Sequence, residues 1–60
     1  MDIKVGDIVK TDYYPKDRDL LRRVIAVEKY AGASESGFEV TTKDQYGRML
    51  ACDANWYVKE

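Results

Sequence analysis

The side chains able to do chemistry in this chain are few: Ser34 and Ser36, Cys52, the carboxylates Asp12, Asp17 and Asp19, and the glycines Gly32 and Gly37. There is no histidine, so the usual general base near neutral pH is missing. Ser34 and Ser36 fall in a Gly-flanked stretch with no base beside them and read as loop-forming residues. Cys52 sits among apolar neighbours, where a thiol is buried and inert rather than an activated nucleophile. The three aspartates lack calcium-loop spacing and the glycine of its sharp turn, so no metal site is assigned. Gly32 and Gly37 have the spacing of a phosphate-binding loop, but no Lys-Ser/Thr follows the second glycine. We assign no catalytic residue, no metal and no cofactor, and expect a protein that is not an enzyme.

What remains is recognition. Seven of the 60 residues are aromatic, and Tyr and Trp combine apolar area with a polar handle that suits them to interfaces. The candidate partner-binding residues are Tyr13, Tyr14, Pro15, Arg22, Arg23 and Tyr57. Of the adjacent Trp56 and Tyr57, only one can face inward in a strand, and Trp56 is expected inside. The alternative is nucleic-acid binding, with Lys10, Lys16, Arg18, Arg22, Arg23 and Arg48 on phosphates and tyrosines stacking on bases. Ten Lys and Arg against eleven Asp and Glu, with a pI near 5.3, lack the basic excess of a nucleic-acid binder. Arg22 and Arg23 would also point to opposite faces of a strand, so only a bulge or a helix would bring them together. A protein partner is therefore the preferred reading.

The elements that must position these residues are short and β-like. Residues 3–10 form a first strand entered through a turn at Gly6 and Asp7. Residues 13–19 are a polar, Pro-containing connection. Residues 20–30 admit two readings: Leu20, Leu21, Val24 and Ile25 would make a helical stripe capped by Asp19. The β-branched Val24, Ile25 and Val27 favour a strand instead, because they lose rotamer freedom in a helix. Residues 31–37 lack large apolar side chains and read as a flexible hairpin loop. Phe38, Val40 and Thr42 alternate with Glu39, Thr41 and Lys43, the pattern of a half-buried strand. Asp44 to Gly47 is a turn, residues 48–52 return as a strand, Asp53 caps a 3₁₀ turn, and residues 56–58 close the sheet.

Five strands in so short a chain are too few for a two-sheet sandwich, and the economical solution is one bent sheet curled into a small barrel. The layout resembles the SH3-like barrels. Val5-Gly6-Asp7-Ile8-Val9 is similar to the first strand of prokaryotic SH3-like domains, including KOW-type and Tudor-type barrels. The stretch Asp53-Ala54-Asn55-Trp56-Tyr57-Val58-Lys59-Glu60 is similar to the 3₁₀ turn and last strand of SH3 domains proper, where a Pro-x-Asn-Tyr-Val pattern occurs. Thr11-Asp12-Tyr13-Tyr14 is loosely similar to their Ala-Leu-Tyr-Asp-Tyr motif, but the paired Trp of their groove is missing and no Pro precedes Asn55. The resemblance implies an all-β, five-stranded SH3-like barrel with Tyr13, Tyr14, Trp56 and Tyr57 as walls of an aromatic groove. In style the chain is also similar to small bacterial and phage open reading frames.

A single domain over residues 1–60 buries only roughly 60% of the surface of its unfolded chain, so its core is small. Cys52 is the only cysteine, which leaves packing, aided by oligomerisation, to hold the fold. A weak homodimer is expected, with a partner strand added in a gap between the first and last strands. No leader pattern or long apolar run stands out, so a soluble cytoplasmic location, without membrane association, is expected.

Overall fold

The computed structural model describes residues 2–11, 13–29 and 35–60. They form β1 (Ile8–Thr11), η1 (Pro15–Asp17), β2 (Arg22–Lys29), β3 (Phe38–Asp44), β4 (Met49–Asp53), η2 (Ala54–Trp56) and β5 (Tyr57–Lys59), where η is a 3₁₀ turn. The five strands make one antiparallel sheet in the order β4-β3-β2-β1-β5. The segment rich in β-branched residues is thus a strand, and Val24 lies in the core while Ile25 faces out.

The turns form where glycine and aspartate permit them. Gly6 has φ +96°, and its N–H donates to the Val24 carbonyl at 2.8 Å, which ties the first turn to β2. The Asp7 carboxylate closes that turn by accepting from the Lys4 N–H at 2.9 Å. Between β3 and β4, Asp44 accepts from the N–H groups of Tyr46 and Arg48 at 2.8 and 3.0 Å. Gly47 then takes φ +80°, a conformation that other residues adopt only with strain. The alternation in β3 holds, with Val40, Thr42 and Asp44 buried.

The core is Val9, Val24, Val40, Leu50, Ala54 and Tyr57, with Ile3, Val27, Phe38 and Cys52 packed against it. Each fully buried aliphatic side chain contributes about 1.5–3 kcal/mol, so a core of this size leaves little reserve. None of the described helices is long and apolar enough to cross a membrane.

Three expectations need correction. Among the described residues no ladder joins β4 to β5, so the sheet is open at those two edges and not a closed barrel. No gap lies between the first and last strands, because β1 and β5 are paired through Val9 with Lys59, Lys10 with Val58 and Thr11 with Tyr57. The groups that β1 and β5 turn toward each other are paired, so a partner strand has no place between them. Trp56 ends η2 instead of starting β5, which turns Tyr57 inward and leaves Trp56 45% exposed. The loop expected over residues 31–37 falls largely outside the described residues, as does Asp12.

Candidate functional site

A corner of three half-exposed aromatic rings is built where the chain leaves β1 and where η2 meets β5. Tyr13 packs edge-on against Tyr14, centroids 5.0 Å apart, and edge-on against Trp56 at 5.3 Å. All three rings remain between 45% and 47% exposed. Edge-to-face pairs of this kind gain about 0.5–1.5 kcal/mol beyond area burial, so the rings hold one another in place while keeping open faces.

The backbone beneath is fixed from both sides. The buried hydroxyl of Thr11 donates to the Trp56 carbonyl at 2.6 Å and accepts from the Tyr13 N–H at 3.1 Å. Asp53 caps η2 by accepting from the Asn55 N–H at 2.9 Å, and its other carboxylate oxygen accepts from the Ser36 hydroxyl at 2.9 Å. Pro15 opens η1, where its fixed φ suits the turn and its missing N–H is no loss. Behind Tyr14 lies a cleft of about 250 Å³ lined by Tyr14, Asp17, Arg22, Arg48 and Met49.

One buried carboxylate organises the wall of that cleft. Burial pushes the Asp44 carboxyl up, but the N–H groups of Arg48 and Tyr46 and the Arg48 guanidinium outweigh it and hold it below its usual range. Arg48 Nε donates to Asp44 Oδ2 at 2.8 Å, a contact that keeps the guanidinium firmly protonated. A terminal nitrogen of Arg48 lies 3.6 Å from Asp17, which ties η1 to the β3–β4 turn, and the guanidinium sits over the Tyr46 ring at 5.3 Å.

The structure leaves Tyr13, Tyr14 and Pro15 exposed side by side and buries two residues assigned with them. Tyr57 is 6% exposed: its hydroxyl donates to the carbonyls of Val40 and Leu50, and burial pushes its phenol above its ordinary value. Arg22 is 3% exposed and directed at Asp44 across the β2–β3 ladder. Arg23 is exposed, on the opposite face, as strand alternation requires. The irregularity in β2 lies between Val24 and Ala26, too late to reunite the two arginines.

Of the other cations considered for phosphate binding, Lys10 pairs with Glu60 at 3.3 Å and Arg48 is held by Asp44 and Asp17. Arg18 bonds the Pro15 carbonyl and Lys16 is exposed in η1. Cys52 is half-buried, and burial pushes its thiol up. Ser36 is occupied with Phe38 and Asp53.

The resemblance already named Trp56 as a groove wall, although its strand position pointed it inward; Met49 and the positioning role of Arg48 with Asp17 were not read from the sequence. The Asp53 cap marks the turn but not whether it ends at Asn55 or Trp56, and the structure ends it at Trp56 so that the strand begins at Tyr57. Comparison with family models, curated proteins and solved structures finds no match to this chain.

Proposed function

We propose that this chain is a non-enzymatic binding module of SH3-like type that recognises a protein partner through the corner formed by Tyr13, Tyr14 and Trp56, with Pro15, Met49 and Arg48 beside it. The observation that carries the reading is the edge-on clustering of two consecutive tyrosines with a tryptophan 42 positions further along the chain, all half-exposed. Tyr, Trp and Arg dominate interface hot spots, because large rigid rings gain contact area at little entropic loss. The strand order and the 3₁₀ turn before the last strand support the SH3-like assignment.

Nucleic-acid binding is the weaker reading, since Lys10, Arg22 and Arg48 already face carboxylates. Affinity capture from bacterial lysate with the tagged protein, with and without nuclease, tests the choice. The expected result is a nuclease-resistant protein band, held by the wild type and lost with Tyr14→Ala combined with Trp56→Ala, whose thermal melt stays cooperative. Recovery mainly of nucleic acid, or loss of every band on nuclease treatment, would overturn the proposal.

A further inference from the structure

The outer face of β2, β3 and β4 sorts its charges by sign. At one end of the β2–β3 ladder Arg23 lies directly opposite Lys43, and at the other Glu28 lies directly opposite Glu39. The side chains at these positions share the solvent face, since their neighbours Arg22, Val24, Val40, Thr42 and Asp44 are buried. Between the two charged rows, Ala26 is paired with Thr41 and Thr41 with Ala51, all small, with the exposed Ile25 at the irregularity. Four residues of strand, roughly 13 Å at about 3.3 Å per residue, separate Lys43 from Glu39.

Like charges directly opposite one another weaken a sheet. This chain does so twice, with opposite signs, on one face. Several charges off this face are paired: Lys10 with Glu60, Lys59 with Asp7, and Arg48 with Asp44 and Asp17. Among the described residues, none of Arg23, Lys43, Glu28 and Glu39 enters an ion pair. A face that is positive at one end, negative at the other and uncharged in the middle is complementary in charge to itself under a two-fold rotation, the operation that builds isologous dimers.

We infer that this face is a self-association surface whose occupant is a second copy of the chain, the Arg23 and Lys43 row of each copy lying against the Glu28 and Glu39 row of the other. It is distinct from the aromatic corner and does not rest on the function proposed there. Three short strands offer less than the ~800 Å² per partner of a standard stable interface. The dimer is therefore weak, and because its attraction is between solvent-accessible charges, three exposed and Glu39 partly buried, it is screened by salt.

Sedimentation equilibrium on the intact protein across a salt series tests this, together with two charge-reversed variants. Arg23→Glu with Lys43→Glu makes both rows acidic; Glu28→Lys with Glu39→Lys makes both basic. The wild type is expected to self-associate at millimolar concentration in low salt, with its dissociation constant rising about tenfold or more at high salt. Each variant alone should be monomeric, and an equimolar mixture of the two should restore a dimer, because both rows then meet their opposites. A control carrying Lys16→Glu with Arg18→Glu has the same net charge as the acidic variant and should still self-associate like the wild type, while not binding the basic variant as tightly. A wild type that stays monomeric in low salt, or a mixture no tighter than the control pair, overturns the inference. Should a variant fail to fold, the salt response of the wild type alone decides, since an apolar contact would not weaken as salt rises.

Discussion

The hydroxyl of Thr11 reaches the carbonyl of Trp56 at 2.6 Å across 45 residues of sequence, and by this bond the end of β1 carries the end of η2. The aromatic corner depends on it: Tyr13 hangs from the same oxygen through its N–H, so both partners of the Tyr13–Trp56 contact are referenced to one buried side chain. Thr11→Val keeps the shape and removes both bonds. It should destabilise the fold by about 1–3 kcal/mol, since the Trp56 carbonyl loses its donor. In a domain this small each kcal/mol lowers Tm by about 4–8 °C. A thermal melt followed by Trp fluorescence checks the loss, and the emission should shift to the red as Trp56 loosens. An unchanged Tm would show that the corner stands without this bond.

Tyr57 is the polar pin of the core. Its hydroxyl lies 3.2 Å from the Val40 carbonyl, 3.1 Å from that of Leu50 and 3.3 Å from the Thr42 hydroxyl, joining β5 to β3 and β4 across the open side of the sheet. Tyr57→Phe leaves the ring and strips that link. We expect a loss of about 1–2 kcal/mol, read as a lower urea midpoint with the slope unchanged.

Much of the scaffold was legible because it is local. Phe38, Val40 and Thr42 announce β3 by their period of two, and the β-branched residues of 24–27 announce β2 against the competing helical stripe. Asp44 and Gly47 announce their turn through the backbone conformation that each makes easy. The candidate site was legible only in part, because its decisive features are non-local or hinge on one residue. Ending η2 at Trp56 and not at Asn55 reverses which of Trp56 and Tyr57 faces the core, and a shift of one residue is below what spacing resolves. Arg22 looked like a surface cation because its partner Asp44 is 22 positions away, and only the β2–β3 register brings them together. The closed barrel failed for a similar reason, since closure depends on β4 and β5 meeting, and no pattern within either strand encodes that.

Acid should unfold the protein in a specific way. Asp44 and Asp7 both have folded pKa values below the ordinary 3.8, Asp7 chiefly through the Lys4 N–H. A carboxyl depressed on folding contributes stability that is fully present above its unfolded pKa and is lost as pH falls through the folded value. Urea midpoints should therefore hold level at neutral pH and begin to fall only as the pH drops below about 5, declining further through 3.8 and beneath it. Asp44→Asn should flatten that decline while lowering stability at neutral pH, because the amide replaces one oxygen that the Arg48 or Tyr46 donors use. If the wild-type midpoint were level down to the lowest pH, the carboxylates would hold no such role.

Arg22 presents the opposite case, a buried charge that its surroundings serve poorly. Its terminal nitrogen is 3.8 Å from Asp44 Oδ2, beyond hydrogen-bond reach, and its Nε is buried with no acceptor. An unsatisfied buried donor costs about 1–3 kcal/mol, and a loose buried ion pair recovers little of the desolvation of its two charges. Asp44 does not depend on it, since two backbone N–H groups and Arg48 Nε already donate to that carboxylate. Arg22→Met fills similar volume with a flexible apolar chain and should leave the urea midpoint unchanged or raise it by an amount equivalent to about 1 kcal/mol. Arg22→Ala should instead destabilise by about 1–2 kcal/mol, because it empties the buried space that the arginine stem fills on a strand paired with Val9 and Asp44. The contrast between the two substitutions separates packing from charge: if methionine proved as damaging as alanine, the guanidinium itself would be holding β2 to the turn after β3.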